Sequence, residues 1–329
     1  MTTAIQRLGG SNEGVLARHK RTLLWLFGLL LVLMAGAAGL GWWITEPRPA
    51  FAEADAASLE QGGDPARGKD VFDAADCASC HASPGQPDRQ RLGGGLTLPS
   101  QFGTFFPPNI SPDPNDGIGR WRTIDLANAL MSGVSPQGEH IYPALPYTSY
   151  AHMRVEDVKD LMAYLRTLPA VAGQAPAHDL PFPFTIRRMV GVWKFLYFDR
   201  SPIQPDPARD EAWNRGRYLV EALGHCAECH SARNMLGAIK SSSRLAGGQD
   251  QEGIGFVPNI TQAGIGDWSS EDIVEALTSG HTPQLRRIGS SMADVVTDTA
   301  ALKLSDRQAI AAYIRSVPAR SSPDAVKER

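Results

Sequence analysis

Cysteine is almost absent from this chain: four in 329 residues, none near the amino terminus, so lipid attachment there is excluded. A surplus of one charge is lacking too. Lysine and arginine total 32 against 35 aspartates and glutamates, and a formal net charge of −3 argues against a nucleic-acid partner. No stretch of any length alternates apolar and polar residues as a half-buried strand would, which leaves an all-α architecture. What the chain does have is length enough for two ordinary domains, 43% hydrophobic residues for their cores, and 24 prolines and 32 glycines, a loop-rich composition.

All four cysteines fall in two pentapeptides, Cys77-Ala78-Ser79-Cys80-His81 and Cys226-Ala227-Glu228-Cys229-His230. Two thiols three residues apart lie on one side of a helical turn, where they can add to the two vinyl groups of one porphyrin, and the next histidine reaches the iron. Zinc ribbons place their cysteine pairs roughly 15–20 residues apart, whereas these pairs are separated by most of a domain. The pattern predicts two covalently bound haem c groups, held by Cys77 and Cys80 and by Cys226 and Cys229, with His81 and His230 as iron ligands. Their Nε2 atoms would bind, and a backbone carbonyl would hold each Nδ1–H; Pro108 and Pro258, at matching loop positions, are the candidates to supply it.

One long charge-free run extends from Thr22 to Thr45. At 1.5 Å per residue it covers roughly 35 Å, enough to cross a bilayer core of about 30 Å. Arg18, Lys20 and Arg21 before it belong on the cytoplasmic side and Trp42-Trp43 at the far interface, so the remainder is exported. Haem attachment of this kind in bacteria also requires an exported compartment. Ala50-Phe51-Ala52 offers a signal-peptidase site, but the run exceeds an ordinary signal core. The division is therefore a cytoplasmic segment 1–21, an anchor 22–45, a tether 46–63, a first domain 64–170, a connector 171–206, a second domain 207–320 and a tail 321–329.

The two domains repeat one another. Arg67-Gly68 is answered by Arg215-Gly216, Pro108-Asn109-Ile110 by Pro258-Asn259-Ile260, and Gly117 to Trp121 by Gly264 to Trp268. Asp64-Pro65 caps a helix into the first motif. Thr123 can cap a middle helix that ends at Gly133, and Ser270 and Gly280 bracket its counterpart. Closing helices carry Val158, Leu161, Met162 and Leu165, and Ile310, Tyr313, Ile314 and Val317, on one face each. The connector, with Phe182 to Arg188, Trp193, Phe195, Tyr197 and Phe198, is too aromatic for a flexible linker. It either packs against both domains or presents a docking patch.

Pro108 to Asp113, Tyr142 to Tyr147, Phe182 to Arg188 and Arg215 to Arg233 resemble the cytochrome c subunits of membrane-bound bacterial alcohol, gluconate and fructose dehydrogenases, and the likeness runs from about Pro65 to Pro318. It implies two tandem class I cytochrome c domains behind an N-terminal transmembrane helix. It also implies a subunit that takes electrons from a periplasmic dehydrogenase and passes them to a quinone, a cytochrome or an oxidase. Those subunits usually carry three haem motifs; with two, the chain fits a cytochrome or oxidase acceptor better than direct ubiquinone reduction. The expected location is the bacterial inner membrane, with the haem domains in the periplasm.

A carrier needs a sixth ligand on each iron, and a methionine thioether raises the potential. Met292, upstream of the last helix, stands where the family places its ligand. In the first repeat Met131 and Met162 read as core residues, His140 and His152 as alternatives, and Met153, just before Val155-Glu156-Asp157, as the ligand. Leu145 occupies the one nearby position where another methionine would compete. Met235 lies too close to its own motif to cross a haem. Arg120, Arg187, Arg188 and Arg233 are candidates for pairing with haem propionates. The competing reading, a dihaem enzyme of peroxidase or thiosulfate-oxidising type, requires one iron with an open or unusual ligand.

Overall fold

The computed structural model describes residues 9–250 and 255–323, with side chains from residue 16 onward. Residues 1–8, including Arg7, and most of the expected tail lie outside it. The chain falls into two compact units, up to Glu46 and from Pro47 onward. The first holds α1, Gly9–Ile44. Its segment Leu16–Ile44 is, among the described residues, the one helix long and apolar enough to cross a membrane, and no part of it is buried against protein.

The second unit opens with a 3₁₀ turn, Glu53–Asp55, and α2, Ala56–Leu59. Then come α3, Pro65–Ala74, and the motif helix α4, Cys77–His81. A hairpin follows, β1 at Leu98–Ser100 and β2 at Gly103–Phe105, and then α5, Thr123–Ser132, α6, Tyr147–Tyr150, and α7, Val155–Leu165. The connector supplies α8, Met189–Tyr197. The second repeat has α9, Glu211–Tyr218, a π-helical turn Leu219–Leu223, a 3₁₀ turn Cys226–Glu228, and strands β3, Gly248–Gln249, and β4, Phe256–Val257. It ends with α10, Gln262–Ile265, α11, Ser270–Ser279, α12, Met292–Ala301, and α13, Leu304–Ile314.

Each repeat is built on a crossing of its first and last helices, and a glycine makes each crossing. A Cβ on Gly68 in α3 would stand 2.0 Å from the carbonyl oxygen of Asp160 in α7; on Gly216 in α9 it would stand 1.8 Å from that of Ala309 in α13. Backbones this close exclude any side chain. Around the crossings the closing-helix stripes are buried: Val158, Leu161, Met162 and Leu165 are 3% exposed or less, and Ile310, Ile314 and Val317 are buried as well. The two stripes belong to one core, which Tyr150, Tyr218, Leu219 and Leu223 join. The two repeats thus share one hydrophobic interior.

Asp64 caps α3 as expected, accepting from Ala66 N–H at 2.8 Å with Pro65 at the first helical position. Two expectations are corrected. Thr123 is the first residue of α5 and caps nothing; the Asp125 carboxylate accepts from Arg122 N–H at 2.9 Å, and Glu60 accepts from Thr123 N–H. By contrast α11 begins at Ser270 as expected, with Ser269 as its cap in a reciprocal pairing with Asp272. The all-α reading gives way to a mostly helical fold with two short antiparallel hairpins, whose two- and three-residue strands are too brief to leave a period in the sequence. Gly133 and Gly280 end their helices in the left-handed region, at φ 59° and 72°.

Candidate functional site

Both motifs begin with a forced bend. Asp76, at φ 51°, and His225, at φ 37°, sit in the left-handed region immediately before Cys77 and Cys226, and the chain then turns so that each cysteine pair falls on one helical turn. The thiols form no disulfide. Burial pushes Cys80 and Cys229 up to about 11, Cys226 up to about 12, and Cys77 well above its ordinary value. A redox-active dithiol needs the reverse shift. Among the described residues no three histidine, cysteine, aspartate or glutamate side chains converge as a metal cage, which a structural zinc site requires.

The two histidines are held by the carbonyls expected from their loops. His81 Nδ1 lies 2.8 Å from the oxygen of Pro108, and His230 Nδ1 lies 2.7 Å from that of Pro258. A carbonyl only accepts, so each Nδ1 carries the proton and each Nε2 keeps its lone pair free to bind iron. Burial lowers the pKa of both rings against the upward pull of those carbonyls, which keeps them neutral. The loops are fixed by further matching contacts. Gly94 and Gly247, both at positive φ, donate to the carbonyls of His81 and His230 at 2.9 Å. Asn109, 4% exposed, donates to Val171 and Gly173 and accepts from Ser111 N–H; Asn259, 7% exposed, donates to Arg320 and accepts from Thr261 N–H. The sequence shows the repeated Pro-Asn-Ile but gives the asparagines no role; they tie the histidine-holding loop to the chain beyond each closing helix.

The motifs also meet each other. Gly224 lies against Ala74: a Cβ on it would come within 3.6 Å of the Ala74 carbonyl oxygen. Tyr150 donates its hydroxyl to Ala75 O at 2.8 Å, and its ring meets that of His225 edge-on at 5.6 Å. Glu228, inside the second motif, binds Arg233 at 2.6 Å and accepts from Thr148 of the first repeat. Burial would raise its carboxyl, but Arg233 and Thr148 hold it below the ordinary range.

The methionines sit differently. Met153 is 4% exposed, in the core against which Cys77 packs, one residue before the cap of α7. Met292 is half-buried and begins α12, a ten-residue helix ahead of the last one. Of the alternatives, Met162 is 1% exposed on α7, and His152 Nδ1 is 2.6 Å from Ser201 O. Met235 is 90% exposed. Arg120, Arg187 and Arg233 are engaged with protein groups, Asn115, His140 and Glu228 respectively.

Residues 65–169 match the cytochrome c family model. Over 295 residues the chain is 51% identical to a diheme cytochrome c-type protein of Cereibacter sphaeroides, covering 89% of this chain and 97% of that one. It is 40% identical over 252 residues to a nicotinate dehydrogenase subunit of Pseudomonas putida, 76% of this chain and 21% of that one. With the fructose dehydrogenase cytochrome subunit of Gluconobacter japonicus it shares 39% over 282 residues, 84% of this chain and 56% of that one. The chain thus spans nearly all of the diheme relative but only about half of that cytochrome subunit. The donor set fits a thioether-bound haem: paired thiols on one turn, and a neutral imidazole with Nε2 unencumbered. This device is built twice, and over almost their full lengths the two chains correspond, so the protein belongs to the diheme c-type cytochromes, electron-transfer proteins rather than catalysts.

Proposed function

We propose that this chain is a membrane-anchored cytochrome of the periplasm that carries two covalent haems c and relays electrons from a dehydrogenase to the respiratory chain. Cys77, Cys80 and His81 hold one haem and Cys226, Cys229 and His230 the other, with Met153 and Met292 as sixth ligands, in two tandem class I cytochrome c repeats. The observation that carries this reading is the doubled histidine–carbonyl contact, at 2.8 and 2.7 Å.

A bound haem supplies a one-electron iron couple. The protein's part is to orient the imidazoles through Pro108 and Pro258, to surround the first site with the core that contains Met153, and to keep the two motifs back to back at Gly224 and Ala74. Tyr150, which is buried, meets the His225 ring between the two motif entrances.

The dehydrogenase partner follows from the names of the relatives, which include a nicotinate dehydrogenase subunit and a fructose dehydrogenase cytochrome subunit. A cytochrome, an oxidase or a quinone is the acceptor class. Retention of the anchor is supported by what lies beyond it. Ala50 and Phe51 donate their N–H groups to Ser132 Oγ and Asn128 Oδ1, and processing after Ala52 would discard both contacts.

The test is the purified full-length protein. Two haems per chain that survive acid extraction, and two one-electron steps in a mediated redox titration, are expected. One haem per chain, or protein released by osmotic shock with an amino terminus near Glu53, would contradict the reading.

A further inference from the structure

Helix α8 is seated back to front. Its only charged residue points inward: Lys194 Nζ donates to the carbonyl oxygens of Ser132 and Gly133, both at 2.7 Å, and lies 4.7 Å from the centre of the Tyr147 ring. Val190 packs inward with Phe105 and Tyr142, but four other apolar residues point outward. Met189, Val192, Phe195 and Leu196 are 50%, 41%, 64% and 54% exposed, and their spacing puts them on one face of the helix. Phe182 and Ile186, just before the helix, are exposed as well. A helix on a water-facing surface has the opposite arrangement, and a monomer seldom leaves such a patch uncovered.

The chain's own connectivity says what covers it. Five residues, Thr45 to Pro49, separate the end of α1 from Ala50, and six steps of extended chain reach no further than about 20 Å. Ala50 is pinned to Ser132 Oγ at 3.2 Å, and Ser132 O is one of the two carbonyls that hold Lys194. The residue at which the folded body catches the chain emerging from α1 is therefore the residue to which α8 is bolted. With α1 in a bilayer, α8 stays within a short reach of the lipid surface. Its exposed aromatic residues Phe195 and Tyr197 and the flanking Arg188 and Arg200 suit an interfacial helix. The helix is braced for that position, because Trp193 Nε1 donates to Leu236 O of the second repeat at 2.8 Å.

We propose that the outward face of α8, formed by Met189, Val192, Phe195 and Leu196, lies in the headgroup–acyl boundary of the membrane that α1 crosses. It gives the haem-bearing body a second, non-spanning hold on the bilayer. The proposal rests on reading α1 as a retained anchor. A protein partner would also cover such a face, but only the lipid surface is tied to it by the five-residue tether.

The test is photo-crosslinking of the full-length, haem-loaded protein, with p-benzoylphenylalanine in place of Phe195. The protein is held in nanodiscs of phosphatidylethanolamine and phosphatidylglycerol, and also in its native membranes. The expected product carries the added mass of one phospholipid, and the same probe at Leu285, 83% exposed in the second repeat, gives none. Capture of polypeptide instead of lipid at position 195 in native membranes would replace the membrane with a protein partner and overturn the proposal, as would no adduct at all. A probe at Phe27 in α1 separates the two readings. Lipid capture at 27 without capture at 195 removes this proposal alone, whereas no lipid capture at 27 removes the anchor. The double variant Phe195→Glu with Leu196→Glu is expected to keep the haem absorbance and both potentials while abolishing lipid capture by a probe at Met189. Undiminished capture there would likewise overturn the assignment.

Discussion

The two repeats do the same thing with different numbers of residues. Eight residues separate Gly68 from Cys77, and nine separate Gly216 from Cys226. In the first repeat an α-helix runs from Pro65 to Ala74 and the left-handed Asp76 delivers the cysteine. In the second, α9 opens into the π turn Leu219–Leu223, where Gly224 N–H bonds back five residues to Leu219 O, and the left-handed His225 delivers the cysteine. A π turn is how a helix absorbs one inserted residue. Geometry therefore fixes three features and leaves a fourth open. The glycine crossing, the left-handed residue before the first cysteine and the proline carbonyl on the histidine recur, while the helix between them is free to change length.

If the crossing is the fixed point, both repeats must fail alike when it is filled. Gly68→Ala and Gly216→Ala each drive a methyl group into backbone, at 2.0 and 1.8 Å from a carbonyl oxygen. Neighbouring backbone cannot step aside as a side chain tip can, so overpacking should cost about 3 kcal/mol or more in either repeat. The check is thermal unfolding of each variant together with its haem yield. One repeat tolerating alanine while the other fails would show that the crossings are not equivalent.

The methionines mark where the repeats part. Met153 is buried in the shared core, whereas Met292 begins a helix that the other repeat holds. Arg89 donates to Asp294 at 2.7 Å and to both oxygens of Asp298 at 2.9 Å, clasping two successive turns of α12, and Lys303 just beyond it pairs with Asp70 at 2.6 Å. Met153→Ala should therefore abolish the methionine-to-iron absorption band of the first haem and lower its potential, leaving the Met292 site intact. Arg89→Gln should act more weakly and on the second haem alone, shifting its potential while both bands persist. An unchanged first-haem spectrum in Met153→Ala would remove that ligand assignment; a shift at the first haem in Arg89→Gln would show that the clasp does not act through Met292.

These contrasts explain what the sequence could show. Motifs, the long apolar helix, core stripes and the histidine–proline carbonyl contacts are legible because each depends on residues close in sequence or on a repeated segment. The Asp64-Pro65 start of α3 was legible for the same reason. The clasp was not, since Arg89 and Asp298 are 209 positions apart and neither charge stands out from an ordinary solvated face. Helix α12 carries two threonines and no strong apolar stripe, so no clear helical period marks it. The inverted seating of α8 is invisible for a related reason: composition names its residues, but only Ser132 and Gly133 show that Lys194 is turned inward. The shared core cannot be read at all, because each stripe is complete within its own repeat.

The smallest expected difference concerns the residues that precede the first cysteines. His225 packs against Tyr150, while Asp76 is half-buried with the Asp298 carboxylate as its neighbour. Ser79 donates to Asp76 Oδ2 at 2.6 Å, and Asp76 Oδ1 has no donor among the described residues. Burial first, then the neighbouring Asp298, push the Asp76 carboxyl up to about 8. The folded protein thus keeps a proton that the unfolded chain gives up near pH 4. Stability from this group is complete below that point and declines as pH rises towards 8, with a slope of at most about 1.4 kcal/mol per pH unit for one proton. Asp76→Asn keeps the shape and offers a permanent donor towards Asp298, so its stability should be flatter between pH 5 and pH 8 than that of the parent, and higher at the alkaline end. Urea unfolding at a series of pH values, monitored through the haem absorbance of both proteins, provides the measurement. Parallel pH profiles would show that Asp76 is ionised in the folded state and that Arg89 neutralises the pair. The two residues before the first cysteines would then share a backbone conformation and differ in nothing that titrates.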